Sequence, residues 1–156
     1  IERSGLVMAE LPSETIEELR RVLPPAASPL NPVDILGDAP AERYSRALEI
    51  VARSGSADMI LVIALLQSPA LDGSALVKVL AGAARSYGKP IVAVMPGGEY
   101  SEKYMAELEK SGVPAFKTPA EGVKALRLLY SFVEGRRRVL ARRSAVSRGG
   151  LHGWGT

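Results

Sequence analysis

The chain has 156 residues, 47% apolar and 24% charged, with no cysteine. That is the size and composition of one globular domain able to bury about two-thirds of its unfolded surface, and it excludes disulfide and thiol chemistry. The net charge of +3 is unevenly spread: residues 1–134 carry 14 Lys and Arg against 17 Asp and Glu, whereas residues 135–156 carry six Arg and no acid.

Ile1 to Gly5 read as the last turn of a helix that begins upstream. The chain does not open on Met, so a piece of a longer polypeptide is expected. No secretory signal pattern is present, and no apolar run reaches the ~20 residues of a membrane span. A cytoplasmic location and no membrane association are expected, since absent cysteine suits a reducing compartment. The absence of cysteine, many prolines and many arginines also fit a thermophile.

Leu6 to Leu11 is a short apolar run and predicts a strand. Pro12-Ser13 opens a helix, with Ser13 as N-cap and Glu14, Glu17 and Glu18 near the positive end of its dipole. Ile16, Leu19, Val22 and Leu23 form its apolar face, and Pro24-Pro25 stops it. Residues 24–32 contain four prolines and predict an ordered, extended loop. Val33 to Leu36 could form a short strand, interrupted by Asp34. Pro40 suits the first turn of the next helix, lined by Tyr44, Ala47, Leu48 and Val51 and ended at Ser54-Gly55.

Asp58 to Leu66 is the strongest strand, apolar on both faces, as in a central parallel strand covered by helices. A helix is predicted over 72–87 and a strand over 90–95. Pro96-Gly97-Gly98 breaks that strand before a helix over 100–111. Val113 to Lys117 reads as an edge strand. Thr118-Pro119-Ala120-Glu121 is a capping box opening a helix that runs to about Glu134 or beyond. From Ser144 on, the chain is glycine-rich and weakly periodic, and is expected to be mobile or to order only against a partner. The division is thus residues 1–134 as the domain and 135–156 as an Arg/Gly-rich extension. Strands alternating with helices argue a three-layer α/β domain with a mostly parallel sheet.

Ligands of such sheets meet the carboxyl ends of the strands. Four stretches fall there: Asn31 to Asp38, Gln67-Ser68-Pro69, Pro96 to Glu99, and Thr118. Gln67, Ser68, Gly97 and Gly98 are the phosphate-facing candidates, because small or polar turns feeding helix N-termini expose free N–H groups to anions. The same residues also suit plain tight turns. Asp34 and Asp38 are read as structural, Asp34 in an Asx-type turn and Asp38 at a helix start. No residue is assigned a catalytic or metal-binding role. There is no Walker A sequence, GxGxxG, HExxH, or cluster of Cys or His. The single histidine, His152, sits among glycines in the tail. Asp58 starts its strand, which excludes a receiver-type phosphoacceptor.

The segment NPVDILGDAPAERYSRALEIV strongly resembles the NPVD-(L/I)-LGDA segment of the ADP-forming (NDP-forming) acyl-CoA synthetases, relatives of succinyl-CoA synthetase. LPSETIEELRRVLPPAAS, ADMILVIALLQSPALD, GKPIVAVMPGG and SGVPAFKTPAEGVKALRLLY resemble that family's flanking segments in the same order, so the likeness covers about residues 5–133. It implies the last flavodoxin-like subdomain of the family's α portion, with its first strand and a Gly-rich turn, TN-(S/A)-GG-x-G, missing upstream of Ile1. The run at 6–11, which normally packs beside that strand, is then expected to be unpaired, to pair with another chain, or to take the vacant place. Within this motif, Asn31, Pro32, Asp34, Gly37 and Asp38 are implied to be scaffold.

The resemblance also implies a reaction. Acyl-CoA, ADP and phosphate give acid, CoA and ATP through an acyl phosphate and a phosphohistidine carried on another subdomain. The implied partners are the remaining α subdomains and an ATP-grasp β portion, with a homo-oligomer possible. CoA, ADP or ATP, and Mg belong to the complete enzyme and none of them to this chain, which is expected to be inactive alone. His152 follows the subdomain, whereas the family's histidine precedes it, so it is not expected to be the phosphorylated one. The alternative is a non-catalytic α/β interaction module. Nucleic-acid binding by the Arg-rich tail ranks third, since Trp154 alone could stack on bases.

Overall fold

Ile91, Val92, Ala93 and Val94 are apolar whichever way their side chains alternate, which suits a strand covered on both faces. The computed structural model, which describes residues 1–149, places them at the centre of a three-stranded parallel sheet as β2, Ile91–Val94. On one side lies β1, Ile60–Ile63, with Ile60 opposite Ile91 and Ile63 opposite Val94. On the other lies β3, Ala115–Phe116, with Ala93 opposite Ala115.

Five α-helices surround the sheet: α1 (Ser13–Val22), α2 (Ala41–Arg53), α3 (Gly73–Tyr87), α4 (Gly98–Lys110) and α5 (Pro119–Gly149). Strand alternation separates two cores. Ile60, Val62, Ile91, Ala93 and Ala115 meet α2, α3 and α4 on one face. Val92, with Leu61 and Phe116, meets Leu6 and the Val123 and Leu126 side chains of α5 on the other. Leu76, Leu80 and Leu108 are fully buried in the first core, and each such burial is worth about 2 kcal/mol over exposure. α1 packs on the outer side of α2 through Leu19, Leu23, Ala47 and Ile50. Gly122 lets α5 lie close on the sheet, since a Cβ there would stand 2.9 Å from both Leu61 and Val94.

Several elements differ from expectation. Leu6 to Leu11 is not a strand and joins no ladder, the unpaired outcome among the three expected of it; Leu6 is buried under α5 while Val7 is 90% exposed. The Asn31 side-chain amide donates to the Ala9 carbonyl at 2.8 Å, tying this segment to the Pro-rich loop. Among the described residues β1 pairs only with β2. An apolar groove of about 220 Å³ runs between β1, the Tyr44–Val51 side of α2 and residues 31–35.

Val33 to Leu36 is not a strand either. Ser28 and Asp34 make one isolated antiparallel bridge, and Leu36 then turns left-handed at φ 69°. α1 starts after Pro12 with no side-chain cap, so Ser13 is its first helical residue and not its N-cap. α5 continues past Glu134 and through Ser144 to Gly149, so residues 144–149 are helical where an irregular stretch was expected. Among the α5 residues whose burial is described, the last buried one is Leu126.

Candidate functional site

Three parallel strands each feed a helix at their carboxyl ends, and the three junctions are closed differently. After β1, Ser68 N–H donates to the Leu65 carbonyl and Leu71 N–H to the Ser68 carbonyl. Asp72 then caps α3, its carboxylate accepting from Ala75 N–H at 2.8 Å. After β3, the expected capping box forms. Thr118 Oγ1 accepts from Glu121 N–H at 3.3 Å, and Glu121 Oε2 accepts from Thr118 N–H at 3.0 Å. After β2, α4 begins at Gly98 with Gly97 as N-cap and no side-chain cap. The first N–H groups of α4 therefore have neither an intrahelical acceptor nor a capping side chain.

The β2 junction is held from outside by two side chains. Gln67, from the β1 junction, donates its amide N–H to the Gly97 carbonyl at 3.2 Å and to the Pro96 carbonyl at 3.5 Å. Ser101, fully buried in the first turn of α4, donates its hydroxyl to the Pro96 carbonyl at 3.1 Å. Gly97 has φ 132° and Gly98 φ 67°, both in the region where a side chain is strained. A Cβ on Gly97 would stand 1.6 Å from Gln67 Nε2 and 2.8 Å from Ser101 Oγ. Glycine at 97 is thus favoured by backbone conformation, and a side chain there would also have to displace the Gln67 amide.

Gln67 and Gly97 are brought into contact, and Ser68 lies beside them in the same junction. The Asn31–Asp38 motif is elsewhere: its Asn31, Pro32, Val33 and Ile35 line the groove beside β1 and α2. Asp34 accepts from Leu36 N–H at 2.8 Å, an Asx-type turn. Asp38 is not a helix-start residue. It pairs with Arg43 at 2.7 Å, while Pro40 is the N-cap of α2. The same Arg43 Nη1 also donates to the Ile35 carbonyl at 2.9 Å. A Cβ on Gly37 would meet open space.

Sequence reading missed Ser101 and Arg43. Ser101 stands four residues after Gly97, one helical turn on, which is the only local signal of its contact. His152 lies outside the described residues.

Around the α4 start the aromatic rings are ordered. Tyr100 and Tyr104 meet edge to face at 5.4 Å, and the neighbouring Tyr104 phenol raises the Tyr100 phenol above its ordinary value. Glu99 occupies the first turn of α4 and is exposed. Among the described residues there is no cluster of His, Cys, Asp and Glu able to hold a metal. Chemically the junction can present oriented N–H groups and the positive end of a helix dipole.

Residues 1–139 match the Ligase-CoA domain family. The chain is 36% identical over 137 residues to an acetate–CoA ligase [ADP-forming] I of Archaeoglobus fulgidus, covering 86% of this chain and 19% of that protein. It is 34% identical to the α subunit of acetate–CoA ligase [ADP-forming] II of Pyrococcus furiosus, covering 78% of this chain and 27% of that one. Among solved structures, the dinucleotide forming acetyl-coenzyme A synthetase 1 of Ca. Korarchaeum cryptofilum superposes with a TM-score of 0.79 at 26% identity, covering 90% of this chain and 31% of that one. The chain therefore spans less than a third of each of these proteins.

Proposed function

Because the chain belongs to the Ligase-CoA domain family, we propose that it serves as one domain of an ADP-forming acyl-CoA synthetase. The complete enzyme would convert acyl-CoA, ADP and phosphate into acid, CoA and ATP. The homology to ADP-forming acetate–CoA ligases supports a part of such an enzyme. In this reading the domain faces the phosphoryl group while that group is carried on a histidine of a neighbouring domain.

The observation that carries the reading is the open N-terminus of α4. The starts of α3 and α5 are closed by Asp72 and by Thr118 with Glu121, but α4 has only Gly97 and Gly98 there. A phosphoryl group is stabilised by such N–H groups and by the dipole, without a basic side chain. The residues at this junction fit that anion. CoA, nucleotide and Mg would be held by other parts of the enzyme, and the chain's own contribution is to bind and orient a phosphate. Glu99 opposes the anion with its own charge, which keeps the site weak unless a neighbouring domain completes it. The remaining domains of the synthetase are the proposed partners. Exposure of Leu128, Phe132, Val139 and Leu140 along α5 is in keeping with such contacts. His152 is proposed to have no part in phosphoryl transfer.

The test is titration of the protein with inorganic phosphate, read as backbone amide shifts. Saturable shifts at Gly97, Gly98 and Glu99, larger than those at Gly73 or Ala120, are expected. Shifts scattered over the Arg-rich end of α5, with none at α4, would dismiss the reading.

A further inference from the structure

We propose that Gln67 is a positioning residue: it fixes the peptide planes on either side of Gly97 and so sets the direction in which the Gly97 and Gly98 N–H groups point. The proposal deepens the phosphate-facing reading above and rests on it for its functional consequence. Its structural part stands on the hydrogen bonds alone.

A trans peptide is planar, and its C=O and N–H point in opposite directions. The Pro96 carbonyl is held by Gln67 at 3.5 Å and Ser101 at 3.1 Å, so the N–H of the same peptide, that of Gly97, is turned away from both. The Gly97 carbonyl is held by Gln67 at 3.2 Å, which turns the Gly98 N–H away in the same manner. One side-chain amide thus governs two consecutive planes. The turn needs such a hold, because the glycines at 97 and 98 impose little preference of their own.

The geometry also changes what Gln67 can do. Its N–H donors are directed at protein carbonyls, so Gln67 acts on an anion through the turn and not as a direct donor. It links the β1 junction to the β2 junction across 30 positions of sequence. Ser101 belongs to α4 itself and moves with it, so Gln67 is the member of the pair that ties α4 to its neighbouring strand.

The experiment compares the wild-type protein with Gln67→Ala and Gln67→Glu, measuring three quantities: melting temperature, backbone order at Gly97 and Gly98 from amide nitrogen relaxation, and the inorganic phosphate concentration that half-saturates the amide shifts. Both variants keep the fold, since Gln67 is exposed. The order parameter at Gly97 and Gly98 is expected to fall from that of rigid backbone, about 0.85, toward that of a flexible loop, below about 0.6. Phosphate binding is expected to weaken about threefold in Gln67→Ala and more in Gln67→Glu, whose carboxylate cannot donate and repels both carbonyls and anion.

Unchanged order at Gly97 and Gly98 in both variants overturns the positioning role. Lower order there in a protein whose wild-type form shows no phosphate shift at α4 supports the hold on the turn and overturns the phosphate reading. A fall in phosphate binding that only follows melting temperature, with order lowered throughout the domain, overturns the proposal in favour of a general packing role.

Discussion

The Tyr104 ring lies directly against the Cα of Gly73: a Cβ at position 73 would stand 2.6 Å from the ring. This contact locks the first residue of α3 to the middle of α4 and so fixes the spacing of the two helix starts at the carboxyl end of the sheet. Tyr104 is itself buried, with Met105 and Leu108 of the same helix in the core. Gly73→Ala is predicted to destabilise the protein by about 2 kcal/mol, the usual cost of overpacking, despite the higher helix propensity of alanine. Urea unfolding measures it. The double variant Gly73→Ala, Tyr104→Leu should recover part of that loss relative to Tyr104→Leu alone, and strict additivity would show that the ring is not what alanine meets.

The two carboxylates of the NPVD-to-LGD motif are predicted to differ. Asp34 holds Leu36 N–H in a turn whose residue 36 has φ 69°, a conformation unfavourable to leucine by about 1–2 kcal/mol. Asp38 makes an ion pair whose carboxylate is 72% exposed, and exposed pairs contribute little. Asp34→Ala should cost about 1 kcal/mol and Asp38→Ala less than about 0.5 kcal/mol. Arg43→Ala should cost more than Asp38→Ala, because Arg43 also binds the Ile35 carbonyl while 19% exposed. Thermal unfolding of the three variants checks the order, and equal losses from the two aspartates would contradict it.

Where the apolar pattern was decisive, the fold was legible. The strand read over 90–95 is found at Ile91–Val94, buried throughout, whereas the one read over 58–66 as a covered central strand shortens to Ile60–Ile63 at an edge of the sheet, with Ile63 51% exposed. Thr118 and Glu121 read as a capping box and form one, because every atom in it is local. Leu6 to Leu11 has the same apolar look but joins no ladder, since pairing depends on a second strand that the segment's own residues do not encode. Ser144 to Gly149 looked irregular because of composition, yet adding residues to a helix already formed costs far less than starting one. At the candidate site, the helix starts and the paired glycines were visible in the sequence. The contact of Gln67 with Gly97 and the double role of Arg43 were not, because they are set by how strands and helices lie side by side. Asp38 was read as a helix start for the same reason: its partner, Arg43, lies within the helix that it was taken to begin.

Glu99 is predicted to restrain anion binding at α4. It is the acidic residue in the helix's first turn, where a negative charge interacts favourably with the dipole by about 0.3–1 kcal/mol. The carboxylate repels any anion bound there by an effect of similar size. Glu99→Gln should therefore bind inorganic phosphate about twofold to fivefold more tightly at low salt while losing a few tenths of a kcal/mol of stability. The gain should shrink as salt is raised, because exposed charges are screened. Binding weaker than wild type at every salt concentration would mean that Glu99 does not sit near the bound anion.

The alkaline limb of stability should be shaped in part by Tyr44. Burial raises its phenol above the ordinary value of about 10, and the ring packs in the main core, 8% exposed. The sign follows from linkage: the folded state holds the phenolic proton more tightly than the unfolded chain. The stabilisation is fully present below about pH 10 and is lost as pH rises through the raised folded value. Lys117, raised by its hydrogen bond and charge pairing with Glu102, has the same sign, with its contribution present below the ordinary lysine value and lost above it. Tyr100 is also raised. Tyr44→Phe removes one of the three. Its melting temperature should track that of wild type between pH 7 and pH 9, apart from a constant offset, and then fall less steeply above pH 10. If the two curves stay parallel through pH 11, Tyr44 is not a source of the alkaline loss, and the Lys117–Glu102 pair would be the next to remove.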